Sequence, residues 1–390
     1  MRLGFHYHIP ACMIEGQIYT ASYLGLFIDS LAVHFEQLVL FLHSPRKDEM
    51  PQMDYAIVSQ NVVLVPLMEH LSIPKRLLRG KSVARKVAEA AREQRIDVLL
   101  MRAPTPLLPF IATATKTICK QALLVVGDMR DHVQNLNQPW WRAPLVRRYI
   151  FWNEGRQEQL AKSMLVLTNS AIFQERYARI ALKSVLVRTT TLSRANFFER
   201  KQLDAGKPFK LLYAGRIEVG KGLLLIAEAV TRLNLDSIDC QWDIVGWSEQ
   251  GDDTQARIQS IFDQAGQGGR VVFHGKQKAG EALFAFYRKA DAYVMASLLS
   301  EGFPRTIWEA MANSAPVIAT PVGSIPHYLK HGENALLVKP DASDIADKIR
   351  ELVERPDLRR KLIHNGFMLA EESTLEFQSA KMAGEIKAFA

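Results

Sequence analysis

Two cations stand five positions apart in Gly215-Arg216-Ile217-Glu218-Val219-Gly220-Lys221-Gly222, behind the apolar run 209–214 and ahead of a helical apolar pattern that continues to Val230. A strand running into a glycine-bearing loop, with one Arg and one Lys before a helix begins, suits capture of a diphosphate. Two fixed charges there could stabilise a departing nucleotide. On spacing alone, two solvated loop residues fit equally well, and the Gly-x4-Gly-Lys-Ser/Thr order of a Walker loop is absent. The second stretch is Ser300-Glu301-Gly302-Phe303-Pro304-Arg305-Thr306-Ile307-Trp308-Glu309-Ala310-Met311-Ala312. Pro304 suits the first turn of a helix, which would leave the amides of about Phe303 to Thr306 free to bind an anion. Glu301 would then lie in the loop and Glu309 farther along the helix. Ionised carboxylates only accept hydrogen bonds, so two of them can each grip a pair of sugar hydroxyls. A lone helical glutamate is more often simply solvated, and the composition of the whole segment is what speaks for a site.

Other candidates are fainter. Trp247 after Gly246 and Lys276 after Gly275 could wall a base pocket. His6 and His8 share a strand face, but no further ligand accompanies them, so no metal site is expected. Asp-x-Asp, the usual metal-diphosphate clamp, occurs nowhere in the chain, so Arg216 and Lys221 would have to supply that charge.

The elements that must position these residues follow from the pattern of apolar runs. Strands are predicted at 3–8, 37–42, 55–57, 62–65, 98–101, 122–126 and 164–168, then at 209–214, 241–245, 270–273, 292–295 and 316–320, with amphipathic helical stretches between them. Such alternation implies parallel sheets covered by helices, and 390 residues exceed what one core usually organises. The expected fold class is therefore α/β with two doubly wound Rossmann-like domains facing across a cleft. Boundaries are expected at 1–191, a linker at 192–208, a second domain at 209–370 and a C-terminal helix at 371–390 that packs back on the first domain. Ligands of such sheets bind beyond the carboxyl ends of the strands.

Three motifs in order, Gly-Arg-Ile-x3-Lys-Gly, Glu-Gly-Phe-Pro-x4-Glu-Ala-Met-Ala and Pro316-Val317-Ile318-Ala319-Thr320-Pro321-Val322-Gly323, resemble the donor-domain signatures of glycosyltransferase family 4 over about 210–341. The resemblance implies a GT-B fold and a retaining, metal-independent transferase that uses a nucleotide-diphosphate sugar. Under it, Arg216 and Lys221 bind the diphosphate, Glu301 contacts the transferred hexose and Glu309 holds the ribose hydroxyls. Gly215, Gly246, Gly275, Lys276, Gly302, Phe303, Pro304, Arg305 and Thr306 complete the donor side. Two departures stand out: Asn313-Ser314-Ala315 replaces the family's glycine, and Gly323-Ser324-Ile325-Pro326-His327 replaces Gly-Gly-x-Pro-Glu. In the first half, Glu15-Gly16-Gln17 resembles the family's glycine loop beside the donor phosphates. The family's active-site histidine position is taken by Gly127, which leaves Asp128 as the catalytic-side carboxylate and Arg130 and His132 as acceptor-side candidates, a structural His132 being equally compatible.

Charge is uneven: 27 Lys and Arg face 17 Asp and Glu up to residue 205, against 22 and 24 after it. Six cations, Lys75, Arg76, Arg79, Lys81, Arg85 and Lys86, surround Leu77, Leu78, Val83 and Val87, a composition that could lie on an anionic bilayer. The acceptor is accordingly expected to be a saccharide or lipid-linked molecule. Neither a signal peptide, a membrane span nor a disulfide framework is legible, and a cytoplasmic protein, peripheral at the inner face of the membrane, is expected. No cofactor is expected. An epimerase or phosphorylase on the same fold is the alternative, while nucleic-acid binding and dinucleotide chemistry lack their motifs.

Overall fold

The computed structural model describes residues 1–130, 141–201, 207–278, 280–298 and 303–390. Its backbone forms two compact units, Met1–Thr191 with Leu375–Ala390, and Leu192–Thr374. Each is a Rossmann-like α/β domain.

The first domain contains β1 (Arg2–Ile14), β2 (Gln17–Thr20), β3 (Gln37–Ser44), β4 (Tyr55–Ala56), β5 (Val62–Glu69), β6 (Val98–Ala103), β7 (Lys120–Val125), β8 (Leu165–Thr168) and β9 (Lys183–Leu186). Parallel pairing runs β5-β3-β1-β6-β7-β8-β9. Leu38 to Leu42 are fully buried because helices cover both sheet faces, so this strand reads as an unbroken apolar run rather than an alternation. After β1 the chain moves outward through β3 and β5, then returns to the other side of β1 as β6. The strand order therefore reverses between β1 and β6, which opens a crevice at their carboxyl ends.

Beyond the parallel part, β1 continues into a hairpin with β2, with Ile14 opposite Gln17. Glu15 and Gly16 have φ of 50° and 81°, the paired positive values of a tight primed turn. The segment expected to be a loop leading to a helix is thus a hairpin tip, and the helix Ser22–Ala32 starts only after β2. The last helix, Leu375–Phe389, buries Met382, Ala383 and Ile386 in the core of the first domain, and the Gln378 side chain accepts from Arg188 N at 2.7 Å.

The second domain holds β10 (Phe209–Arg216), β11 (Cys240–Trp247), β12 (Val271–Phe273), β13 (Ala292–Met295), β14 (Val317–Ala319) and β15 (Leu336–Leu337), all parallel, in the order β12-β11-β10-β13-β14-β15. Here the reversal falls between β10 and β13. Residues 192–201, expected to be linker, pack on this domain instead: Phe198 N donates to Ala312 O at 2.8 Å and Arg200 N to Ser314 Oγ at 3.1 Å. Ser314 has φ of 57°, the left-handed conformation that usually follows a helix as glycine. Its hydroxyl donates to Phe198 O at 2.7 Å, which helps to hold a serine where the family has glycine.

Candidate functional site

At the end of β10 the chain is forced into an unusual path by close backbone approaches. Gly246 could not carry a side chain, because a Cβ there would lie 1.8 Å from Gly215 O. Gly222, at φ 67°, is equally constrained, with its missing Cβ 2.0 Å from Ala296 O. Between Gly215 and Gly222, Val219–Lys221 makes one 3-10 turn, after which the helix Leu223–Leu235 begins. Tyr213 donates to Arg216 O at 2.7 Å and fixes the strand end. Glu218 lies between the two cations, 3.5 Å from Arg216 and 3.9 Å from Lys221. Arg216 is half-exposed, whereas Lys221 is largely buried.

The loop after β13 is fastened to the same place. Leu298 N donates to Gly220 O at 2.9 Å, and Thr320 Oγ1 donates to Ser297 O at 2.7 Å. The chain that leads to Glu301 and Gly302 is thereby held beside the Lys221 turn, although both of these residues lie outside the described ones. On the far side, Pro304 caps the helix Arg305–Ala312, whose first turn has no side-chain cap. Its amides carry the partial positive charge of a helix N-terminus. Phe303 stacks on Trp308 at 4.0 Å and meets Tyr328 edge-on at 4.8 Å, so its ring secures the entry to the helix. Thr306 accepts from Tyr293 at 2.8 Å, while Arg305 is exposed.

Glu309 accepts from the buried Tyr287 hydroxyl at 3.1 Å. Burial pushes its carboxyl pKa up, with Arg305 and the tyrosine pulling it back. One oxygen is anchored, and the group is primed to gain from donors such as ribose hydroxyls. Gly246 N donates to Gly275 O at 3.0 Å, and Lys276 lies 4.8 Å over the Trp247 ring. These two side chains therefore form one cation-π pair beside the strand ends. Among the described residues, no group of three or more His, Cys, Asp or Glu could hold a metal ion.

In the first domain, Gly16 occupies the hairpin tip, where its Cβ would meet nothing within 4 Å. Asp128 follows β7 and is buried, but Arg130 and Arg176 saturate it. Arg130 Nη2 reaches Asp128 Oδ2 at 2.8 Å and Glu158 Oε1 at 2.9 Å, and Arg176 bridges the same two carboxylates. This closed, charge-balanced ring ties Asp128 and Arg130 to each other. His132 lies outside the described residues. Beside the ring, Glu154 is buried, and burial together with the charge of Asp128 raises its pKa to about 7.

Sequence reasoning missed a second polar cluster in this domain. His6 and His8 stand where the pairing of β1 with β6 ends, His43 and Arg102 at the carboxyl ends of β3 and β6, with His70 just after β5 and Arg76 on the following helix, Ile73–Leu78. The His43 and His70 rings are 5.5 Å apart, and His8 and His70 are 6.3 Å apart. Burial, helped by the neighbouring cations, lowers His6 and His8 to about 3 and His43 to about 4, so all three are neutral at pH 7. The available signal was that His8 and Arg102 fall at or just beyond the ends of predicted strands.

The fold is of the GT-B class, with two Rossmann-like domains. It is shared with HepE of Anabaena in complex with UDP, at a TM-score of 0.71, 16% identity and 100% of both chains. Sucrose-phosphate synthase from Thermosynechococcus elongatus superposes with a TM-score of 0.66 at 18% identity over 100% of this chain and 98% of that one. Residues 195–368 match the family model described as glycosyl transferases group 1. In sequence, 154 residues are 35% identical to D-inositol 3-phosphate glycosyltransferase of Pseudarthrobacter chlorophenolicus, 39% of this chain and 36% of that protein. Over 269 residues the chain is 25% identical to MMP alpha-(1->4)-mannosyltransferase of Mycolicibacterium hassiacum, 68% of this chain and 61% of that protein. The chain thus spans less than two thirds of the length of these relatives.

Proposed function

We propose that the protein is a glycosyltransferase that moves a hexose-type sugar from a nucleoside diphosphate sugar, bound by the second domain, to an acceptor hydroxyl. The observation that carries this reading is the fastening of the Arg216–Lys221 turn to the loop after β13 through Gly220 O and the close approach at Gly222. Two cations and an uncapped helix N-terminus at Arg305 thereby belong to one set of strand-end loops, with Glu309 one helical repeat beyond. Diphosphate oxygens suit the first two, ribose hydroxyls the third. The group 1 family match and the transferase names of the relatives support the same reading, as does a structural neighbour crystallised with UDP.

In the reaction, the bond from the anomeric carbon to the diphosphate breaks and a bond to the acceptor oxygen forms on the same face. The acceptor proton passes to the departing phosphate oxygen. Arg216 and Lys221 stabilise the charge that develops on the leaving group, which removes the need for a metal. Retention of configuration and membership of family 4 belong to this proposal, as do the contact of Glu301 with the hexose and the approach of the Gly16 hairpin to the donor phosphates.

The acceptor is assigned to surface polysaccharide or glycolipid assembly, at the inner face of the membrane. Lys75, Arg79, Lys81, Arg85 and Lys86 are exposed together with Leu78, which suits an anionic surface. Val83 and Val87 are buried and Arg76 is turned partly inward, so attachment would be electrostatic rather than by an inserted apolar face. Among the described residues, no helix is long and apolar enough to cross a membrane.

The test is release of nucleoside diphosphate from a panel of UDP-, GDP- and ADP-sugars, with and without a pool of saccharide acceptors, in excess EDTA. Acceptor-dependent release is expected. Consumption of donor without any acceptor would point to an epimerase or hydrolase, and loss of activity restored only by manganese or magnesium would remove the metal-free mechanism.

A further inference from the structure

The histidine and arginine cluster of the first domain has a feature that ordinary core polar groups lack: several of its polar atoms are unsatisfied. Among the described residues, both ring nitrogens of His6, Nδ1 of His8, Nε2 of His43, Nε of Arg76, Nε of Arg102 and the hydroxyl of Tyr149 are buried without a hydrogen-bond partner. Buried polar atoms are almost always paired, so several orphans in one place call for a ligand or ordered water. His6 and His43 are fully buried, whereas His8, His70, Arg76, Arg102 and Tyr149 are only partly buried.

Charge indicates what would satisfy them. Among the described residues, neither Arg76 nor Arg102 has a carboxylate within ion-pair distance. Arg102 donates to Pro104 O at 3.2 Å and covers the Tyr7 ring at 5.2 Å. Glu49, whose charge is felt by Arg76, is taken by His70 at 2.6 Å and by Arg46, and Glu154 stands near Tyr149. Burial lowers the pKa of both guanidinium groups, so each carries a desolvated charge without its counter-charge, an arrangement proteins avoid unless an anion supplies it. The cluster also sits at the reversal of strand order between β1 and β6, where an open α/β sheet binds ligands.

We propose that Arg76, Arg102, His8 and Tyr149, with His6 and His43, form a binding site in the first domain for an oxyanionic group, a phosphate monoester or a carboxylate, carried by the acceptor. The assignment to the acceptor rests on the transferase reading above; the anion site itself does not. Guanidinium groups bind both anions bidentately, and neutral imidazoles and a phenol complete the shell as donors. The acceptor class is then a phosphorylated or acidic saccharide rather than a neutral one.

The experiment is titration calorimetry at pH 7 with inorganic phosphate, glucuronate and glucose on the whole protein. The proteins compared are wild type, Arg102→Gln, Arg76→Gln and the donor-site variant Arg216→Ala/Lys221→Ala, each checked for folding by circular dichroism. Phosphate or glucuronate should bind where glucose does not, and the stronger of the two identifies the anion. Binding should persist in the donor-site variant and weaken at least tenfold in Arg76→Gln and Arg102→Gln. Should Arg102→Gln not fold, Arg76→Gln and Arg102→Lys carry the test, the lysine retaining partial affinity. Lack of binding by both anions, equal binding of glucose, or anion binding lost in the donor-site variant but kept in both glutamine variants would overturn the proposal. UDP, GDP and ADP titrated into the same variants report separately on the donor reading.

Discussion

Replacing Gly222 with alanine isolates the role of the close approach that shapes the proposed donor site. Two costs combine there. A side chain at φ 67° pays the left-handed penalty of about 1 kcal/mol. Its Cβ would also lie 2.0 Å from Ala296 O, well inside the 3.0 Å that real Cβ atoms essentially never cross. The obstacle is backbone, so the loop after β13 or the Lys221 turn must move by about an ångström. The bond from Leu298 N to Gly220 O, 2.9 Å long, would not survive that shift, and leaving its partners unmatched costs roughly another 1–3 kcal/mol. Gly222→Ala should therefore lose about 3 kcal/mol in all. Gly266 supplies the control: at φ 69° it shares the conformation, yet nothing lies within 4 Å of its missing Cβ, so Gly266→Ala should lose only about 1 kcal/mol. Urea unfolding followed by circular dichroism measures both, and nucleoside diphosphate affinity should fall in Gly222→Ala alone. Equal destabilisation by the two substitutions, or unchanged nucleotide affinity in Gly222→Ala, would refute the argument that contact rather than conformation fixes this turn.

Arg216→Ala and Lys221→Ala should each lower kcat about a hundred- to a thousandfold, since each removes a donor preorganised toward leaving-group charge; near-normal turnover in folded variants would displace the site. Glu154 gives a pH signature. Its folded pKa of about 7 is raised from the ordinary carboxylate value of 4.5, so the native state holds a proton that the unfolded chain releases, and stability falls as pH rises from about 4.5 to 7. The loss amounts to about 3 kcal/mol. Urea unfolding of Glu154→Gln should show that much relative gain over wild type between pH 5 and pH 8, and a constant difference would contradict the burial argument. Wild type should co-sediment with phosphatidylglycerol vesicles at low salt, and a variant with Lys75, Arg79, Lys81, Arg85 and Lys86 changed to Gln should not; equal pelleting would remove the membrane surface.

What was legible in the sequence followed from how each signal arises. Long parallel strands such as β3 and β10 are buried on both faces, and their apolar runs stood out. β2, β9 and β15, of two to four residues, were missed because they carry little pattern of their own and form by pairing with a neighbour already in place. The Lys221 and Arg305 motifs could be read because a glycine loop and a helix start lie within a few consecutive residues. The histidine and arginine cluster could not, since His6, His43, Arg76 and Arg102 come from separate elements that only the β1–β6 reversal assembles. The ion-pair ring around Asp128 was not legible either, because Arg176, which completes it, is 48 positions away. The segment 192–201 read as a linker through its weak periodicity, whereas its contacts with Ala312 and Ser314 are long-range hydrogen bonds that periodicity does not report.

The central claim is that the second domain holds a nucleoside diphosphate through Arg216 and Lys221. Calorimetric titration of UDP, GDP and ADP into wild type, Arg216→Ala and Lys221→Ala, with thermal unfolding recorded in parallel, tests it most directly. One of the three nucleotides should bind wild type, adding roughly 2.7 kcal/mol of stability at about 100 times its dissociation constant, and each substitution should weaken that binding at least tenfold. Failure of all three nucleotides to bind the folded wild-type protein, or unchanged affinity in both variants, would contradict it.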